Sequence, residues 1–349
     1  MYKKLQIIFL LLPVSVSVFS QAGYGIYQFL DLPVSSRMAA LGGFNISLYD
    51  NDLNFAFMNP ALLSDGTSQV IGINAANYLA DVQFGTAVYG QTFGKKNHMA
   101  FGVQYIDYGK FKEVTELNEH LGEFTAKDFA LNIIYARPLT EHLSVGGTLK
   151  PIYSVFERYS SFGIAIDAGM NYNNPEALFS AGLVFRNMGR QLKGYYSEEG
   201  EQHIEPLAFN IMLGATQKLR YAPLRFSFTL HNLQQWDLSY QTSREPTRSL
   251  ITNAENARSN KIGFIDMFFR HSIIGVEFIP GKNFYLAAGY HHRRRQEMAM
   301  EGFKSMAGFS FGGGIKLYKF QVGFGMTQFQ TGNYSYQFSI STSLNEFRL

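Results

Sequence analysis

Tyr334-Ser335-Tyr336-Gln337-Phe338-Ser339-Ile340-Ser341-Thr342-Ser343-Leu344-Asn345 sets Tyr334, Tyr336, Phe338, Ile340 and Leu344 on one parity. Ser335, Gln337, Ser339, Ser341, Ser343 and Asn345 fall on the other. Successive strand side chains point to opposite faces, so the stretch reads as a strand with one apolar face and one small, polar face. The residues before it repeat the pattern, with Phe320, Val322, Phe324 and Met326 against Gln321, Gly323, Gly325 and Thr327. A soluble sandwich would turn the apolar face inward and a membrane barrel would turn it outward. The fold rests on which of the two applies.

Met1 to Ser20 reads as a secretory signal peptide: Lys3 and Lys4, an apolar run from Leu5 to Leu12, then small residues about a cleavage point after Ser20. A membrane-anchor helix fits less well, because Pro13 interrupts an already short run. Further on, no stretch approaches the roughly 20 uninterrupted apolar residues of a spanning helix. An exported chain of this kind that enters a membrane must cross as a closed barrel, since only helices and barrels satisfy their backbones in lipid. Thirty-two Phe, 21 Tyr and one Trp accompany a mean hydropathy of only −0.08. A lipid face and a lumen face that cancel on averaging would give that combination. The absence of cysteine argues against a disulfide scaffold and thiolate metal sites. A net charge of +3 without runs of like charge argues against nucleic acid.

Fourteen segments of strand character follow Thr67, the better ones including Val82, Phe84, Thr86, Val88; Ile164, Ile166, Ala168, Met170; and Leu224, Phe226, Phe228, Leu230. Every second connection is short and rich in turn residues, as in Gly94-Lys95-Lys96-Asn97, Asn173-Asn174-Pro175-Glu176 and Pro280-Gly281-Lys282-Asn283. The long connections, 110–122, 189–205 and 237–267, all fall in the other register. Short turns on one rim and long loops on the other mark an outer-membrane barrel. The expected fold is therefore all-β: an antiparallel transmembrane barrel of about 14 strands over 67–349. Its aromatic and branched face points to lipid, and its Gly/Ser/Gln/Thr face lines the lumen. Residues 21–66 lack alternation and carry a short helical stretch after Ser35 or Ser36 and the turn Asn59-Pro60-Ala61-Leu62. They are expected to fold from the periplasmic side into the lumen as a plug.

Three motifs bear on chemistry. Gly308-Phe309-Ser310-Phe311-Gly312 matches the hydrolase G-x-S-x-G pattern, but it lies within an alternating strand with no helix to follow, so it reads as coincidence. Asp50-Asn51-Asp52-Leu53-Asn54 opens like a calcium loop and then places Phe55 and Ala61 where Gly and Glu are required. Its acids are expected to serve turn backbones. His291-His292-Arg293-Arg294-Arg295 ends a strand on the long-loop rim. Adjacent histidines on a strand face opposite ways, so the run reads as a solvated charge cluster, or as a site for anionic lipopolysaccharide or an acidic partner. No enzyme, cofactor or metal is indicated.

Tyr27-Gln28-Phe29-Leu30-Asp31-Leu32-Pro33-Val34-Ser35-Ser36-Arg37, Ala40-Leu41-Gly42-Gly43, Asn59-Pro60-Ala61-Leu62-Leu63, Leu230-His231-Asn232-Leu233-Gln234-Gln235-Trp236-Asp237-Leu238 and the His291–Arg295 run before Gln296-Glu297 resemble the PorQ family. That family is an outer-membrane component of the type IX secretion system. The Asn-Pro-Ala element (Asn59, Pro60, Ala61) is shared more widely with FadL-like fatty-acid transporters. The resemblance implies a FadL-like barrel with an N-terminal hatch, in an outer membrane of Bacteroidetes type with its loops extracellular. It implies a place in the attachment complex with PorU, PorV and PorZ, holding PorZ at the surface. The expected docking residues lie in the long connections and at the rim: Tyr195, Tyr196, Glu198 and Glu199 beside Glu201, then Trp236, Arg293 and Arg295. The alternative is a FadL-like transporter of hydrophobic small molecules. An outer-membrane hydrolase centred on Ser310 is a third reading.

Overall fold

The computed structural model describes residues 25–78, 82–94, 96–114, 120–196, 202–238, 263–298, 306–330 and 333–347. The signal-peptide expectation over 1–20 and most of the 237–267 connection lie outside them. The strands are β1 (Val70–Asn77), β2 (Gln83–Phe93), β3 (Asn97–Val114), β4 (His120–Pro138), β5 (Leu143–Phe156), β6 (Tyr159–Asn174), β7 (Phe179–Lys193), β8 (Tyr195–Tyr196), β9 (Gln202–His203), β10 (Asn210–Lys218), β11 (Leu224–Leu230), β12 (Ser272–Phe278), β13 (Phe284–His291), β14 (Phe309–Leu317), β15 (Phe320–Gln330) and β16 (Asn333–Ser343). Fourteen of them close into one barrel, in which each strand pairs with its sequence neighbour, β7 meets β10, and β16 meets β1. β8 and β9 pair only with each other. Every ladder of the barrel is antiparallel, and the closing one runs from Val70↔Ser343 to Asn77↔Tyr336.

The apolar parity faces outward. Tyr334, Tyr336, Phe338 and Ile340 are exposed, whereas Ser335 and Gln337 are buried. Phe324 lies opposite Phe338, with rings 5.2 Å apart on the outer surface. Closure leaves no edge, and the outward band is what lipid requires, so the chain is built as an integral outer-membrane barrel. Among the described residues no helix is long and apolar enough to cross a membrane; the crossing is made by strands. The parity rule is inverted at β2, where Phe84 and Val88 point inward. They join the apolar core that the N-terminal segment brings into the lumen.

Strand height differs around the wall. β3 and β4 run for 18 and 19 residues, while β11 and β12 run for 7. A crossing strand needs roughly 9–11 residues, so β3 to β7 rise well past the lipid. The 110–122 connection is thus largely wall: Lys110 pairs with Thr125 and Phe111 with Phe124. Lys110 also meets the Glu123 carboxylate at 3.1 Å. The 189–205 connection likewise begins as the end of β7 and continues through β8 and β9. Cross-strand aromatic and charged pairs extend the ladder where a loop was expected. At β11 the deviation is opposite, since the strand ends at Leu230 where a strand over 223–236 is expected. Asn232 takes a left-handed φ of 56°, which breaks the ladder.

Residues 25–69 occupy the lumen as a hatch. Ser35 caps α1 (Ser36–Ala40) by accepting the Met38 N–H at 3.3 Å. Short 3-10 turns follow at Leu53–Phe57, Pro60–Leu62 and Asp65–Thr67. The path is not that of a plug entering from the short-turn rim. Ile26 donates to the Pro206 carbonyl at 3.0 Å, and Pro206 precedes β10 on the long-loop side. From there the hatch descends to Ser68 and enters β1 beside Ser343, at the short-turn rim. It spans the full height of the lumen.

Two wall glycines show how closely it fits. A Cβ at Gly289 would collide with the backbone of Leu41 and Gly42, and one at Gly325 with the backbone of Ser36. The small inward face is therefore a socket for hatch backbone rather than the lining of an open pore.

Candidate functional site

The hatch is fastened to the wall on all sides. Ser36 donates its N–H to Ser339 Oγ at 2.8 Å, Thr86 Oγ1 donates to the Val34 carbonyl at 3.0 Å, and Gln337 Nε2 donates to the Pro33 carbonyl at 2.9 Å. Ser47 and Thr216 hydroxyls meet at 2.8 Å. Asn59 is wholly buried; its Oδ1 accepts from Ala61 N at 3.0 Å, while its Nδ2 donates to the Ile46 carbonyl at 2.7 Å and the Met170 carbonyl at 3.2 Å. Asn59, Pro60 and Ala61 thus form a capped turn that ties two hatch segments to β6. Pro60 supplies the fixed φ at the start of the turn.

The strongest tie is ionic and lies in the short-turn half of the lumen. Arg37 Nε reaches Glu277 Oε1 at 2.8 Å and Arg225 Nε reaches Glu277 Oε2 at 2.7 Å. Asp50 Oδ2 accepts from both guanidinium groups, at 2.6 Å from Arg37 and 3.0 Å from Arg225. Asp52 adds a contact to Arg37 at 3.4 Å and caps the Leu53–Phe57 turn through Asn54 N at 3.1 Å. The Arg37 guanidinium also lies 4.8 Å from the Tyr285 ring centroid. Burial opposes ionisation of Asp50, but Arg37 and Arg225 together outweigh it and hold the carboxyl down to about 2. Burial prevails at Asp52, whose pKa is raised although Arg37 pulls against it. The acids of the calcium-like stretch are thus engaged by arginines. A second tie joins Arg186 of β7 to Asp31 at 3.0 Å and to the Leu30 carbonyl at 2.9 Å.

At the long-loop mouth the tall wall carries Phe111, Phe124 and Phe156. Phe124 and Phe156 continue the inward parity of Ala126 and Ile152, and Phe111 stands opposite Phe124. Ring centroids are 5.3 Å apart for Phe111–Phe124 and 5.4 Å for Phe124–Phe156. Phe111 and Phe156 remain exposed. This aromatic cluster overlooks the mouth, and its first signal in the sequence is the two Phe of the 110–124 stretch.

The expected docking residues do not form one surface. Tyr195 folds back against the wall, its hydroxyl bonded to Ser154, which in turn holds Asp128. Tyr196 pairs with Gln202 in the β8–β9 ladder. Glu198, Glu199 and Glu201 lie outside the described residues. Trp236 is 47% exposed and stacks on His271 at 5.1 Å and on Phe264 at 5.2 Å. Phe264 opens α2 (Phe264–Arg270), whose Phe268 stacks on the outward Phe228 at 6.5 Å. Trp236 therefore stands at the upper edge of the lipid band, a common place for this side chain.

The His291–Arg295 run corrects the strand reading. β13 ends at His291, and residues 292–297 form α3 (His292–Glu297), with the His291 side chain accepting the Arg294 N–H at 3.4 Å. His291 is buried, and Arg294 turns inward over Phe329 at 4.4 Å, so the run is not a solvated cluster. Arg293 pairs with Glu297 at 2.6 Å. Arg295 packs beside Gly308, where an added Cβ would clash with it. Ser310 lies in β14, fully buried, and accepts from Thr327 Oγ1 at 3.2 Å; it offers no exposed nucleophile.

Among solved structures, the chain is similar to a TodX deltaS2S3 mutant monoaromatic hydrocarbon channel, with a TM-score of 0.52 and 11% identity over 88% of this chain and 96% of that one. The Pseudomonas putida toluene transporter TodX gives 0.52 and 9% identity over 92% of this chain and 98% of its own. The fold is that of a FadL-like outer-membrane barrel. A Pseudomonas aeruginosa FadL homologue overlaps more loosely, at 0.49 and 10% identity. No protein-family model matches the chain, and no curated protein matches its sequence. Identities this low establish the FadL-like fold and leave its cargo open.

Proposed function

We propose that this barrel admits small hydrophobic molecules at the outer membrane. The observation that carries the reading is the Phe111–Phe124–Phe156 cluster, an apolar surface at the mouth of a hatch-filled barrel of the TodX type. Aromatic faces exposed above the lipid band are costly to hydrate, and they capture apolar solutes without specific polar contacts. Uptake of radiolabelled toluene and of a long-chain fatty acid by cells with and without the protein tests it. Faster uptake that Phe111→Asp with Phe156→Asp abolishes, while the barrel still assembles, supports the reading. Equal uptake in all strains removes it.

A second reading is favoured by a different observation. Trp236, Phe264 and Ile265 are exposed together on the low side of the rim, and the Leu230–Leu238 stretch carries the PorQ-like motif. On that reading the protein is a non-enzymatic attachment-complex subunit that anchors PorZ, with PorU and PorV, through its extracellular face. Aromatic anchors with a charged surround suit protein docking. Co-elution of PorZ and PorU from detergent-solubilised outer membranes, lost on Trp236→Ala, supports it; elution of the barrel without either partner rejects it.

A further inference from the structure

We propose that the long-loop end of the lumen holds an oxyanion-binding site built on Arg294 and His231, with His291 between their elements. Three arginines that reach into the lumen are neutralised: Arg37 and Arg225 by Glu277 and Asp50, Arg186 by Asp31. Arg294 is not. Its guanidinium lies over Phe329 at 4.4 Å, and its Nη1 is buried without a hydrogen-bond partner. An aromatic face attracts the cation but accepts none of its in-plane N–H bonds.

A second nitrogen is unpartnered nearby, and it is a donor in the Nε2–H tautomer of the neutral ring. His231 is only 2% exposed, and its Nε2 is also buried without a partner. Its ring meets His291 edge-on at 5.0 Å, and the His291 side chain receives the Arg294 backbone N–H. Phe44 of the hatch lies 5.9 Å from the His231 ring, and Tyr78 stands edge-on to Phe329 at 4.6 Å. The acids of the neighbouring helices are already engaged: Asp266 binds Arg270 and His292, and Glu297 binds Arg293.

Buried polar groups in folded proteins are almost always satisfied, so an unpartnered guanidinium nitrogen and an unpartnered imidazole nitrogen on neighbouring elements call for a partner. Guanidinium and imidazole N–H groups together suit an oxyanion, a phosphate or carboxylate group, held by charge-assisted hydrogen bonds. Arg294 keeps partial exposure. Burial draws Arg294 down to about 10, and burial followed by the charge of Arg293 holds His231 down to about 3. A bound anion would favour the protonated form of both. The site stands on these contacts and not on the transport reading.

Isothermal titration of the purified full chain in uncharged detergent, with inorganic phosphate as probe, tests the proposal. Saturable binding at one site is expected, weakened about tenfold or more by Arg294→Gln and unchanged by Lys316→Gln on the opposite rim. Absence of saturable binding, or equal affinity in Arg294→Gln, overturns it. If Arg294→Gln loses the heat-modifiable gel mobility of a folded barrel, His231→Leu decides: weaker phosphate binding supports the site and unchanged binding overturns it.

Discussion

Arg37 of the hatch and Glu277 of the wall are joined at 2.8 Å across a sequence separation of 240 residues, and both are almost fully buried. Arg225 holds the other oxygen of the same carboxylate. A wall acid is thus shared between one wall arginine and one hatch arginine. Removing Glu277 leaves two buried guanidinium groups, Arg37 and Arg225, to share Asp50 and Asp52.

Glu277→Gln should therefore loosen the hatch more than it loosens the barrel. Breaking a buried ion pair outright costs about 3–5 kcal/mol, an upper limit here because both arginines keep Asp50. Hydrogen exchange followed by mass spectrometry should show residues 36–52 opening more readily by up to that order, with the β-ladder unchanged. Unaltered exchange over the hatch would mean that the pair holds nothing.

The same network gives a pH dependence with a definite sign. Asp50 titrates at about 2 in the fold against an ordinary value of 3.8, so its contribution is present above about pH 4 and is lost as pH falls toward 2. Asp52, whose pKa burial raises, works in the opposite sense. Hatch exchange should accelerate between about pH 4 and 2, and Asp50→Asn should flatten that response. An acceleration that survives Asp50→Asn would assign it to another acid.

Charge on the outer face should impair assembly. Phe338→Lys, near the middle of β16, should cost about 2–4 kcal/mol in folding into lipid if it lies near the midplane. Ser341→Lys, on the inward parity near the rim, should be milder. Ser339 is a poorer control than its parity suggests, because its Oγ receives the Ser36 N–H. Urea titration in lipid vesicles measures both variants, and equal losses would mean that Phe338 does not face lipid.

Most of the barrel was legible in the sequence because alternation is a local property. Tyr334 to Ile340 announce their faces without reference to any partner, and the sorting of short and long connections by parity points the apolar face outward. The short helix after Ser35 was legible too, since its cap is local. What escaped depended on distant partners. Lys110–Glu123 and Phe111–Phe124 lengthen the wall only because two strands meet there. Phe84 and Val88 point inward only because the hatch offers an apolar surface. Arg294 turns inward through an α3 that His291 caps, and a run of arginines carries no mark of that turn. The alternation assigns the inward glycines to the lumen, but which hatch backbone lies against Gly289 and Gly325 depends on the fold.

The hatch–wall contact can be tested directly because the chain contains no cysteine. Ser47→Cys with Thr216→Cys replaces two hydroxyls that touch at 2.8 Å, one on the hatch and one on β10. On mild oxidation the pair should form an intramolecular disulfide, seen by mass spectrometry as one peptide joining positions 47 and 216, while Ser47→Cys with Ser341→Cys should not. Free, alkylatable thiols at 47 and 216 in an assembled barrel would contradict a hatch fixed inside the lumen.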